Sequence, residues 1–244
     1  MRSQIALVVV VLLGAHALGA QALGAQAPEA QTPSKRFDLG AQIGQQRFDK
    51  GTALTNTSFV GLDAAYRVPW NPLAGFIRGS TFGVGINIDL SRPVTKGDQF
   101  PVVIVDVGDT TFLYTVAQRV SLLQAGVEGK LSVPVGTMRL YGFAGAGIYS
   151  IFLDPHAAKN HAKFTNPMST YGGGLHYPIT ASIGFRAQLR AVTFTNFDRS
   201  RLDATTPYFR DERIKDALPT PHATSSTPKN MQFSLAFQFV PGGK

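Results

Sequence analysis

The chain has 244 residues, no cysteine and a formal net charge of +8, with 16% charged residues, 25 glycines and 17 phenylalanines. This profile fits neither a disordered chain nor a coiled coil. It also excludes disulfides, cysteine-ligated zinc and thiol nucleophiles, so stability must come from another source.

Residues 1–27 read as an export signal that is removed. Arg2 supplies the positive start, and Ile5 to Leu13 the apolar run. Ala15-His16-Ala17, Ala20-Gln21-Ala22 and Ala25-Gln26-Ala27 are candidate cleavage sites. That run is too short to span a membrane as a helix, and no later segment is long and apolar enough. Residues 28–36 form a short linker rich in Pro, Ala and Gln. Export makes nucleic acid a poor partner for the positive charge. Outer-membrane lipids, phosphorylated lipopolysaccharide among them, suit it better.

Residues 37–244 break into segments in which apolar and polar residues alternate, the pattern of half-exposed strands. Phe37 to Phe48 sets Leu39, Ala41 and Ile43 against Asp38, Gly40, Gln42 and Gly44. Phe59 to Val68 sets Val60, Leu62, Ala64 and Tyr66 against Gly61, Asp63, Ala65 and Arg67. Thr81 to Leu90 sets Phe82, Val84, Ile86 and Ile88 against Gly83, Gly85, Asn87 and Asp89. Ser121 to Val133 sets Leu123, Ala125, Val127, Leu131 and Val133 against Gln124, Gly126, Glu128 and Lys130. Arg139 to Phe152 is rich in Gly and Ala and ambiguous in phase; Tyr141, Phe143 and Tyr149 are placed outward. Ser169 to Tyr177 sets Tyr171, Leu175 and Tyr177 against Thr170, Gly172, Gly174 and His176. In the segment ending at Arg190, Ile183, Phe185, Ala187 and Leu189 oppose Ser182, Gly184, Arg186, Gln188 and Arg190. Finally, Met231, Phe233, Leu235, Phe237 and Phe239 oppose Gln232, Ser234, Ala236 and Gln238. Helical spacing would scatter these sets around a cylinder.

Connection lengths alternate. Val135-Gly136-Thr137 and Pro178-Ile179-Thr180 are tight turns, and Pro69 to Gly79 is intermediate. Asp49 to Ser58, Ser91 to Val120, Asp154 to Met168 and Asn196 to Asn230 run longer. Short periplasmic turns and long extracellular loops mark a closed transmembrane β-barrel, here an up-and-down antiparallel barrel of about eight strands. Aromatic girdles are expected at both interfaces. Phe37, Tyr66, Trp70, Phe82, Tyr141, Tyr177 and Phe239 form the periplasmic one; Phe48, Phe59, Phe152, Phe194 and Phe197 lie at the opposite strand ends.

If the apolar faces meet lipid, the other faces line a lumen. That set holds the acids Asp38, Asp63, Asp89 and Glu128, the bases Arg67, Lys130, Arg186 and Arg190, and Asn87, Gln124, His176 and Gln188. A barrel this narrow is filled by side chains, and buried charges must pair, so an ion-paired network is expected. A carboxylate beside arginine is more often a salt bridge than a catalytic acid. No catalytic, cofactor-binding or metal site is assigned. His176 reads as a hydrogen-bonded interior residue; His156 and His161 stand five apart without acids at ligand spacing.

Within the connections, residues 99–118 hold two β-rich runs around Gly108-Asp109 and read as a hairpin, open to a partner by strand addition. Residues 197–229 are polar and charge-dense and form a second candidate partner surface.

The alternating segments, the run Leu140-Tyr-Gly-Phe-Ala-Gly-Ala-Gly-Ile-Tyr and the closing Phe233-x-Leu235-x-Phe237-x-Phe239 resemble the outer-membrane protein A-like and opacity-type eight-stranded barrels. The closing run is similar to the signal read by the barrel-assembly machinery during insertion, although Val240 to Lys244 follow it. The resemblance implies residence in the bacterial outer membrane and a structural or surface-interaction role. Two alternatives stand beside it: a narrow porin-like channel for small solutes, and a lipid A-modifying enzyme. A deacylase would want His-x-Ser on a lipid-facing strand, where this chain has His176-Tyr-Pro.

Overall fold

The computed structural model describes residues 37–73, 75–96, 102–107, 110–115, 117, 119–154, 163–202 and 226–241. The expected signal and linker, residues 99–101, His156, His161, His222 and most of the 197–229 connection lie outside them.

The described residues form the strands β1 (Phe37–Arg47), β2 (Thr57–Val68), β3 (Thr81–Ser91), β4 (Val102–Val107), β5 (Thr110–Thr115), β6 (Arg119–Val135), β7 (Met138–Asp154), β8 (Lys163–Pro178), β9 (Ile183–Phe194) and β10 (Lys229–Phe239). Eight of them close a barrel in the order β1-β10-β9-β8-β7-β6-β3-β2; β4 and β5 pair separately as a hairpin. All pairs are antiparallel, and closure leaves the barrel without a free edge.

The period-two pattern fixes the register. Ile43 pairs with Val60 on one side and Leu235 on the other, so one residue type shares one face across three strands. That face points away from the lumen: Ile43 and Leu62 are 65% exposed and Phe237 66%. Such a belt would be costly in water and is at home in hydrocarbon. At its periplasmic edge, the Phe37 and Tyr66 rings lie 5.1 Å apart and those of Trp70 and Phe82 6.2 Å apart.

The turns follow their chemistry. Residues 136–137 join β6 to β7, with Gly136 at φ 61°, a conformation glycine adopts without steric cost. Residues 179–182 join β8 to β9, where the Ile179 and Thr180 amides both donate to the Ile183 carbonyl.

Three expectations need correction. The connection expected over Asp154 to Met168 shrinks to 155–162, because β8 begins at Lys163. It is thus shorter than the 69–80 turn at the opposite end. Pro167 is tolerated within β8. Its carbonyl accepts from Thr195 N on the β9 side, beyond the last ladder pair Met168–Phe194, so its missing N–H falls where no ladder bond is needed.

The second correction concerns β7. Tyr141, Phe143 and Tyr149 face the lumen and are buried. Phe143 stands opposite Lys130 and Gly172, both on inward faces, and the pleat then sets all of β7. Its outward face is the small set Gly142, Ala144 and Ala146, followed by Ile148. Tyr141 is therefore not part of the periplasmic girdle. The third correction is the extracellular girdle: Phe59, Phe194 and Phe197 are buried inside, and Phe48 packs on the interior cluster, leaving Phe152 exposed.

Candidate functional site

The lumen is filled in tiers. Nearest the periplasmic end, Arg67 Nη2 lies 3.1 Å from Asp38 Oδ1. Above it, Arg186 donates to both oxygens of Asp63, Nη1 to Oδ2 at 2.8 Å. Arg190 bridges two acids, with Nη1 2.7 Å from Asp89 Oδ2 and Nη2 3.1 Å from Glu128 Oε1. Neutral groups complete the shell. Gln42 Nε2 donates to Asp89 at 2.6 Å, and Thr170 Oγ1 to Glu128 at 3.1 Å. The amide orientations that satisfy Asn87 and Gln188 present both oxygens to Arg190.

The Tyr141 hydroxyl lies 3.0 Å from the Gln188 amide. Lys130 Nζ stands 4.2 Å from the centre of the Tyr141 ring, and the Arg190 guanidinium 5.4 Å from that of Phe143. The inward turn of β7 thus gives two lumen cations, Lys130 and the carboxylate-paired Arg190, an aromatic face.

Glycine provides the room. A Cβ at Gly61 would overlap the Asp89 carboxylate, and one at Gly172 would meet the Phe143 ring and the β9 backbone. His176 lies half-buried at the periplasmic end, its ring over Gly184.

A layer of amides follows. Gln232 Nε2 donates to Gln124 Oε1 at 3.3 Å, and Gln124 Nε2 to Gln46 Oε1 at 3.0 Å. Above it the lumen turns apolar. Leu54, Leu122, Tyr149, Ile151, Phe194 and Leu202 are among the buried side chains of one cluster at the extracellular end. The Tyr149 and Phe194 rings stack with centroids 4.1 Å apart, and the Tyr149 hydroxyl donates to the Thr195 carbonyl. Connections contribute as well. Ala53 and Leu54 enter from the β1–β2 connection, held by the Leu54–Thr95 bridge, while Phe197 and Leu202 enter from the segment after β9.

Sequence reasoning missed this cap, yet parity carried the signal. Val120 and Leu122 share the inward face of Gln124 and Glu128, and Val192 and Phe194 that of Arg186 and Arg190. Of the residues expected inside, Asp38, Asn87, Asp89, Gln124, Arg186, Gln188 and Arg190 are buried; Asp63, Arg67, Glu128, Lys130 and His176 are partly so.

Chemically, the arrangement immobilises charge. All four inward carboxylates, Asp38, Asp63, Asp89 and Glu128, are held by guanidinium groups. Among the described residues, no group of three His, Asp or Glu side chains could hold a metal ion.

No curated protein matches the sequence. Among solved structures, the chain is similar to Neisserial surface protein A, at 10% identity and a TM-score of 0.49 over 83% of this chain and 96% of that one. It is also similar to the attachment invasion locus protein of Yersinia pestis, at 11% identity and a TM-score of 0.43 over 84% and 99%. A third likeness is to the N-terminal β-barrel domain of Pseudomonas aeruginosa OprF, at 12% identity and a TM-score of 0.34 over 84% and 98%. The assignment rests on the family model instead, which matches residues 8–237, nearly the whole of the alternating sequence that closes into the barrel. The chain belongs to the outer membrane protein beta-barrel domain family, a family of the bacterial outer membrane.

Proposed function

We propose that this protein is a sealed barrel that acts as a structural and surface-interaction protein through its extracellular connections. One observation carries the reading. The lumen is occupied along its length, by ion pairs and amides below and by the cluster around Tyr149 and Phe194 above. An eight-stranded barrel has an interior just wide enough for side chains, and these use it. The surface offered to partners lies in the connections. The β4–β5 hairpin, in register from Val102–Thr115 to Val107–Thr110, is suited to strand addition. This reading gives the interior carboxylates no catalytic role, since each is held by arginine.

Single-channel recording in planar bilayers tests it. The folded barrel, verified by heat-modifiable gel mobility, is expected to give no conductance steps. Reproducible steps that scale with salt concentration would replace this reading with the narrow channel.

A further inference from the structure

The lumen charges do not balance tier by tier. Asp89 and Glu128 share one arginine, whereas cations outnumber acids at the periplasmic mouth. A cavity of about 40 Å³ opens there, with Asp38, Arg67, Lys130 and Arg139 as its charged lining. One water needs about 10–15 Å³, so the space holds about three, or one small ion that displaces them.

The ladder sets these groups around a common space. Gly83 of β3 pairs with Arg67 on one side and Lys130 on the other, so two cations flank a residue without a side chain. Arg139 follows the 136–137 turn, shares the inward parity of Tyr141 and pairs with His176 of β8.

The acid is already engaged. Arg67 meets Asp38 through Nε and Nη2. Arg139 Nη2 donates instead to neutral groups, the Gly79 carbonyl at 2.9 Å and Thr81 Oγ1 at 3.1 Å. Lys130 Nζ sits over the Tyr141 ring, which engages one side of an ammonium with three donors. Neither Lys130 nor Arg139 has an ion-pair partner among the described residues. Thr81 Oγ1 and Ser132 Oγ lie 2.9 Å apart, and Thr81 also accepts from Arg139. One hydroxyl proton fills the contact between them, which leaves the other to donate. Like charges gathered in this way repel, and an anion among them reverses the sign.

We propose that this vestibule is an oxyanion site that takes a phosphate-sized guest from the periplasm, with Arg139 and Lys130 as its principal donors. Paired guanidinium N–H groups match two oxygens of such a guest, and the ammonium and the hydroxyl serve the others. Chloride has a single centre and cannot use paired donors. The Arg186–Asp63 tier lies above the cavity, so the guest stops at the mouth. Binding there does not depend on whether the extracellular connections engage a partner.

The test titrates inorganic phosphate into the folded barrel in maltoside micelles, which carry no phosphate of their own, and follows backbone amides by NMR. The Gly83, Ser132 and Tyr141 amides should shift saturably, while those of Leu122 and Phe194 at the extracellular end stay in place. R139Q and K130M should each weaken binding about tenfold, the scale of one charge-assisted hydrogen bond. R92Q, which removes an exposed cation just beyond β3 at the extracellular end, should leave binding unchanged. Chloride at equal ionic strength should not reproduce the shifts. Heat-modifiable mobility shows that each variant is folded. The proposal is overturned if phosphate moves no amide at the mouth, if either R139Q or K130M binds like the parent, if R92Q weakens binding as much, or if chloride shifts the same amides equally.

Discussion

Replacing Arg190 with methionine is expected to lower the unfolding free energy of the barrel by about 3–5 kcal/mol. The size comes from what remains behind. Arg190 is the common partner of Asp89 and Glu128, and Asp89 is buried. Removing one guanidinium leaves the Asp89 and Glu128 carboxylates without their ion-pair partner. A mixed denaturant titration in detergent micelles, followed through Trp70 fluorescence, measures the loss. The triple variant R190M/D89N/E128Q is the informative companion. Neutralising all partners together should regain most of the stability, because the cost lies in orphaned charge rather than in a missing attraction. A midpoint for R190M equal to the parent would show that the ion pairs are dispensable. Equal losses in the single and triple variants would point to packing instead of charge.

The second large effect belongs to the apolar cap. Phe194→Ala should cost about 3–5 kcal/mol, the range for deleting a buried phenylalanine. Phe194 is wholly buried and contacts both Tyr149, in a stacked pair, and Phe197. Alanine leaves a cavity that rigid strands cannot collapse. Phe194→Leu keeps much of the volume and should cost less than about 1.5 kcal/mol. The same denaturant titration separates the two, and equal stability of all three proteins would refute the cap as a packed unit.

Much of the barrel was legible because period two is a strong signal wherever one face meets lipid. The Phe233-to-Phe239 run and the Val60-to-Tyr66 run fix their own phase, and their neighbours inherit it through the ladder. β7 defeated the same rule. Its outward residues are Gly and Ala, so the aromatic set looked like the lipid face. Only pairing with Lys130 and Gly172 reveals that those rings look inward. The extracellular girdle failed through a different cause. Nearness to strand ends suggests an interface position for Phe59 and Phe194, although each shares parity with inward residues, Asp63 and Arg190. The ionic tier could be read as a set of residues but not as pairs. Which arginine meets which acid depends on reach across the lumen, as between Arg186 and Asp63, far apart in the chain and on non-adjacent strands. Leu54 and Leu202 were beyond reach, because connection residues carry no period that says which way they fold.

The division of the lumen into an ionic part and an apolar part also sets how the barrel responds to temperature. The desolvation penalty of buried ions grows on cooling, and burial of apolar groups loses strength on cooling too. The two halves therefore weaken at the same thermal extreme. In the cold, the extracellular mouth around Leu122, Val192 and Phe194 and the Arg186–Asp63 and Arg190–Asp89 level should loosen together. Amide exchange at Leu122 and Val192 and at Asp63 and Arg186, compared between cold and warm samples, reads this directly; loosening of one level alone would disprove it. A plug built this way is held more firmly in the warm than in the cold at both ends of the lumen.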